Sequence, residues 1–165
     1  MFGPVYEFLA RDHARLDALL LRSIAQPAVF DRASFAEFRA GLLRHIAMEE
    51  KVLLPDARRR HGEPLPIAKQ LREDHSLLAS LMVPTPTHEL VVIIREVLEA
   101  HNPLEEGPDG VYAICERLAG ADADGLLALL RATPVVPVAK HVDGPRVQAH
   151  IARQLAARGA RRGSR

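Results

Sequence analysis

Four stretches of this chain have the apolar spacing of helices, and a histidine interrupts the apolar stripe of every one. The first stripe reads Leu9, His13, Leu16, Leu20 and the second Phe38, Leu42, His45, Glu49, Val52. The third reads Leu71, His75, Leu78, Met82, and the fourth Leu90, Ile94, then Val97 or Leu98, His101 and Glu105. Steps of three and four residues place each set on one face of a helix. Four imidazoles and two carboxylates without partners in a core would cost several kcal/mol per charge, so they must be paired, neutralised or bound to a metal. The pattern therefore predicts an all-α chain in which every long helix points one histidine inward.

Two of these histidines belong to a repeated word. HIAMEE (residues 45–50) and HNPLEE (residues 101–106) share His-x-x-x-Glu-Glu, and DHARLDALL (12–20) and DHSLLASLM (74–82) share Asp-His-x-x-Leu-x-x-Leu. Each Asp-His word precedes a helix that ends in His-x-x-x-Glu-Glu, so the chain reads as two similar αα-hairpins that pair into an up-down four-helix bundle. A single His-x-x-x-Glu is commonly a surface ion pair. Two copies on apolar stripes, joined by two further inward histidines, point instead to a metal site. Side chains at i and i+4 lie one turn apart on one face. The next position is rotated by about 140° from the histidine. Glu49 and Glu105 are thus expected to join their histidines at the metal, and Glu50 and Glu106 to point to solvent or a neighbouring helix. Asp12 and Asp74, each one residue before a histidine, are expected to face away. Imidazole nitrogen combined with carboxylate oxygen suits iron, manganese or zinc.

The first helix is read from about Val5 to Ile24. The second is capped by Asp31 or Ser34 and kinked or ended by Pro55; the third begins near Pro66, and the fourth is capped by Thr87. VYAICERLAG and DADGLLALLRA read as short added helices that complete a unit spanning 1–133. VVPVAKHVDGP opens a second region, 134–165, as an extended wrap followed by a basic tail expected to be disordered from about Ala156. After Asp143 that tail has no acidic residue but carries Arg146, Arg153, Arg158, Arg161, Arg162 and Arg165. Over the whole chain 22 Lys and Arg balance 21 Asp and Glu, so nucleic acid is not an expected partner. The single cysteine, Cys115, excludes an internal disulfide and is expected to be a small buried apolar residue. With no secretory pattern and no run long enough to span a membrane, a soluble cytoplasmic protein is expected.

Across residues 5–106 the series His, His-x-x-x-Glu, His, His-x-x-x-Glu on successive helices resembles the hemerythrin-like, or HHE cation-binding, family. RHIAMEEKVLLP and REDHSLLASL are also similar to that family. The resemblance implies a four-helix bundle around a centre of two non-haem iron ions, with His13, His45, His75 and His101 as terminal ligands and Glu49 and Glu105 as bridges. It further implies a small diatomic ligand or peroxide as the bound molecule. Oxygen-carrying hemerythrins place a His-x-x-x-His pair on the third helix, whereas Leu71 and Ala79 flank His75 at those positions. The four-histidine, two-glutamate set is closer to bacterial di-iron proteins of nitrosative-stress repair and to iron or oxygen sensors. Pro103, between His101 and Glu105, is a departure that removes a helical donor inside the motif.

Two other classes fit the sequence less well. A ferroxidase or oxidase of the ferritin-like type needs Glu-x-x-His, but Leu42 and Leu98 stand three residues before His45 and His101. A metal-free interaction or phosphorelay module needs an exposed histidine, and these lie on apolar stripes. Asp17 is read as a surface ion-pair residue, and His61, His88, His141 and His150 as solvated. No protein partner is indicated.

Overall fold

The computed structural model describes residues 2–163, and among them the regular structure is helical, with no strand beyond one isolated bridge between Gln26 and Val29. Helix α1 (Pro4–Ser23) begins with proline in its first turn, where a missing N–H costs nothing. Asp31 caps α2 (Arg32–Met48) by accepting from the Ala33 and Ser34 amides, while the Ser34 hydroxyl donates to the same carboxylate at 2.7 Å. After α3 (Leu54–His61), the chain turns at Gly62, whose φ of 92° suits glycine. Helices α4 (Ala68–Leu81) and α5 (His88–Glu106) follow, the latter capped by the Thr87 hydroxyl. The short α6 (Val111–Ala119) and α7 (Ala123–Arg131) and a longer α8 (Pro145–Gly163) complete the chain.

Pro55 neither ends nor breaks the second helix. Between α2 and α3 lies a π-helical turn, Glu49–Leu53, in which the Leu54 amide reaches back to the Glu49 carbonyl. One residue more per turn lets the helix pass the proline, and such turns recur at functional sites. Pro103 likewise lies inside α5, which continues through it to Glu106.

Helix α1 packs along α2, α4 along α5, and α5 also meets α1. The buried apolar residues form two separate clusters. One, drawn from α1, α2, α4 and α5, includes Leu16, Phe35, Phe38, Leu78, Met82 and Ile94. The other lies toward the opposite end and joins Val5, Leu9, Met48, Leu53 and Leu71 to Tyr112, Cys115 and Leu126 of α6 and α7. His13 falls between Leu9 of one cluster and Leu16 of the other; His75 falls likewise between Leu71 and Leu78. The inward histidines thus occupy a polar layer between two dry regions. Cys115 is buried as expected, and burial above all pushes its thiol up to about 12.

The C-terminal region departs from the sequence-based expectation only beyond residue 143. Residues 134–143 are non-helical and tied down: the Arg39 guanidinium donates to the Ala139 carbonyl at 2.8 Å and Thr85 bonds the Asp143 carboxylate. Beyond them the tail expected to be disordered from Ala156 is helical to Gly163, while Arg165 lies outside the described residues. Ile151 and Leu155 pack against the cluster of Leu16, Phe38 and Leu78, and Arg158 and Arg161 meet Asp74 and Glu73 at 2.8 and 3.1 Å. Apolar contacts one turn apart and two ion pairs hold a segment whose composition alone suggested a solvated extension. No described helix is long and apolar enough to cross a membrane.

Candidate metal centre

All six expected residues are buried and come together. His13 is 8 % exposed and His45, Glu49, His75, His101 and Glu105 are 3 % or less. They form two groups, His13–His45–Glu49 and His75–His101–Glu105, within each of which the ligand atoms lie within 4.8 Å of one another. Both groups could hold a metal ion. The carboxylates are shared between them. Glu49 turns Oε1 to His45 Nε2 at 3.1 Å and Oε2 to His75 Nε2 at 3.2 Å. Glu105 turns Oε1 to His101 Nε2 at 3.2 Å and Oε2 to His13 Nε2 at 3.5 Å. Each glutamate therefore presents one oxygen to each group.

The outer ring nitrogens are held by four more carboxylates. His13 Nδ1 lies 2.5 Å from Glu106, His45 Nδ1 2.8 Å from Asp12, His75 Nδ1 2.7 Å from Glu50 and His101 Nδ1 3.3 Å from Asp74. An ionised carboxylate can only accept, so Nδ1 carries the proton in all four rings and Nε2 is the atom turned inward. That arrangement fixes tautomer and ring orientation, as is usual for histidines that bind metal. It corrects the expectation that Asp12 and Asp74 face away. Glu50 and Glu106 meet neighbouring helices as expected, each at a histidine, and stay partly exposed. The acidic residues of both shared motifs are engaged: the aspartate of Asp-His serves the second helix of its own hairpin, and the second glutamate of His-x-x-x-Glu-Glu serves the first helix of the other hairpin.

His75 Nε2 tests whether these residues fit a metal. It is buried, and although Glu49 and Glu105 stand 3.2 and 3.4 Å away, it is aligned for a hydrogen bond with neither. A nitrogen aimed between two carboxylate oxygens could serve as a ligand to an ion between them. Without metal, protons stand in. Burial draws the His45 ring down, but the Glu49 charge and the Asp12 hydrogen bond outweigh it and carry it up to about 10. Burial opposes protonation of His75 and His101 as well, yet Glu105 and Glu49 take the former to about 12, and Glu105 and Asp74 the latter to about 9. Glu49 is held well below the usual carboxylate range despite its burial, chiefly by the His45 charge.

Sequence reasoning missed one residue at the centre. Tyr112 is fully buried, and its hydroxyl donates to Glu49 Oε1 at 2.5 Å while lying 3.0 and 3.1 Å from the Nε2 atoms of His45 and His13. Burial first, then the charges of Glu105 and Glu49, push its phenol well above 10. A tight turn delivers it. A Cβ on Gly110 would stand 2.5 Å from the Glu105 carbonyl oxygen, so only glycine lets α6 start this close behind Glu105. At the far side of α6 the Glu116 carboxylate accepts from the Val5 and Tyr6 amides and so caps α1. The available signal was the tyrosine itself in an apolar helix, because a buried phenol hydroxyl needs a polar partner.

Of the remaining candidates, Asp17 and His61 and His150 are exposed, as expected. His88 and His141 are half-buried rather than solvated, and the ring of His88 packs edge-on against Phe30. A cleft of about 680 Å³ between α4, α5 and α8 reaches Asp74 but is lined by none of the six inward residues. Comparison of the chain with protein-family models, curated proteins and solved structures gives no match.

Proposed function

We propose that this chain is a hemerythrin-type protein that holds two non-haem iron ions and binds or reacts with O2, NO or peroxide in the handling of iron, oxygen or nitrosative stress in the cytoplasm. In this reading α1, α2, α4 and α5 form an up-down four-helix bundle, and the polar layer between its two apolar clusters is the centre. One observation carries the proposal. Four histidines, each fixed at Nδ1 by its own carboxylate, turn Nε2 toward two glutamates that each offer one oxygen to either group. His13, His45, His75 and His101 are then the terminal ligands and Glu49 and Glu105 the bridges. The imidazole-rich donor set favours iron, with manganese or zinc compatible.

Bound iron would supply redox chemistry and a coordination position for a small molecule. The chain supplies orientation and exclusion. Asp12, Glu50, Asp74 and Glu106 hold the rings at fixed angles, and burial of all six ligands restricts access to molecules of a few atoms. The mixture of four imidazoles and two carboxylates separates this centre from the carboxylate-rich ferroxidase type. A phosphorelay is disfavoured by the same burial.

Elemental analysis of the purified chain after anaerobic ferrous loading tests the proposal. Two ions per chain are expected, falling by at least one in Glu49→Gln and Glu105→Gln, because a neutral amide is a poor bridge between cations. A reproducible value near zero in the unaltered chain would overturn it.

A further inference from the structure

Tyr112 lies on α6, away from the helices that carry the inward histidines, yet its hydroxyl reaches into the polar layer. Its surroundings are one-sided. The oxygen lies 2.5 Å from Glu49 Oε1, 3.0 Å from His45 Nε2, 3.1 Å from His13 Nε2 and 3.3 Å from Glu105 Oε2. Those four atoms are the complete set of inward donors on the His13–His45 side. Ions of this class hold nitrogen and oxygen at about 2.1 Å, so adjacent ligands at right angles stand about 3.0 Å apart. The phenol oxygen stands at roughly that separation from all four donors, as a ligand above them would.

We propose that Tyr112 is a fifth protein donor to the ion held by His13, His45, Glu49 and Glu105, which makes the two halves of the centre unequal. The inference rests on the two-ion reading above. Coordination replaces the phenol proton with the metal, and the proton leaves to solvent, as metal binding to protonated ligands requires. The His75–His101 ion, which has four protein donors and no tyrosine, keeps the larger number of positions for an exogenous molecule. Tyr112 thus directs the small ligand to one of the two ions. The sequence has the means to hold it there: the turn at Gly110 ties α6 to Glu105, and Glu116 ties it to the start of α1.

The chain contains only two tyrosines, Tyr6 and Tyr112, so the assignment can be read spectroscopically. The unaltered chain is loaded with ferrous ion, its iron counted, and the oxidised sample examined by visible absorption and resonance Raman scattering. A phenolate-to-ferric charge-transfer band with tyrosinate ring modes is expected. It should vanish in Tyr112→Phe and persist in Tyr6→Phe, with Tyr112→Phe still holding two ions but one of them at least tenfold more weakly. A second measurement does not depend on that variant folding. Zinc titration of the unaltered chain and of Tyr6→Phe should give the same ultraviolet difference spectrum of one ionised phenol per chain. Two bound ions with no tyrosinate signal, or a signal lost in Tyr6→Phe, would overturn the proposal and leave the two-ion reading intact. Absence of bound metal in the unaltered chain would overturn both.

Discussion

Asp12 and Glu50 act on the centre through a histidine that belongs to another helix, and their substitution should be felt there. Asp12→Asn or Glu50→Gln keeps an oxygen that can accept from Nδ1 but removes the charge that holds the proton on that nitrogen. Affinity is expected to fall about 10- to 100-fold while both ions still bind at saturation. Chelator competition on the two variants beside Glu49→Gln separates the roles: weakened binding of two ions in the first pair, loss of an ion in the last. Unchanged affinity in both Asp12→Asn and Glu50→Gln would show that these contacts do not orient the ligands. The six inward residues were legible because helical period places i and i+4 on one face. Asp12, Asp74, Glu50 and Glu106 were not, because each lies off its own helix's stripe and acquires its role only when a second helix is packed beside it. Tyr112 was hidden for a related reason: nothing in VYAICERL states which part of the core α6 will cover.

Helix α8 shows how an element can be misread from composition. Its arginines and alanines suggested a solvated tail, yet Val147, Ile151, Gln154, Leu155 and Arg158 recur at helical spacing and are each partly buried. Alanine and arginine are also good helix formers. Arg158 is the residue that links this helix to the centre: its Nε donates to Asp74 Oδ1 at 2.8 Å, and Asp74 Oδ2 faces His101 Nδ1 at 3.3 Å. Burial raises the Asp74 carboxyl, but the hydrogen bonds to His101 and Arg158 prevail and bring it to about 2. Arg158→Ala should cost about 1.5–3 kcal/mol, the range for a hydrogen bond to a charged partner. Amide hydrogen exchange should then rise along α8 first, ahead of α1 and α2. Uniform protection along α8 in that variant would mean that its apolar contacts suffice. The starts of α2 and α5 were legible from capping side chains near Asp31 and at Thr87, which act locally. Pro55 was not, since a π-helical turn accommodates it and no local signal announces one.

Three of the inward histidines and both inward glutamates are shifted in opposite directions, and this gives the protein two opposite pH dependences. Without metal, His101, His45 and His75 are raised from 6.5 to about 9, 10 and 12. A raised folded-state value means that their contribution to stability is complete below about pH 6.5 and is lost as pH rises through 9 to 12. Glu49 and Glu105 are lowered, so theirs is present above about 4.5 and lost in acid. The metal-free protein should therefore melt highest between about pH 5 and 6.5 and decline above it. Metal must displace the histidine protons, so the melting temperature gained on loading should grow with pH over the same range. Parallel melts with and without metal from about pH 5.5 to 8.5 measure the difference, and a gain independent of pH would contradict the exchange of protons for metal. The four imidazole–carboxylate contacts also have a pattern of ownership. Asp12–His45 and Asp74–His101 stay within a hairpin, whereas Glu50–His75 and Glu106–His13 cross from one hairpin to the other. One hairpin can orient one of its two histidines and spends its other carboxylate on its neighbour. Such a unit is complete only in duplicate, and two identical copies related by a two-fold axis would satisfy one another in the same way. A gene encoding one hairpin, dimerising and then doubling, is an ancestry that this reciprocity permits.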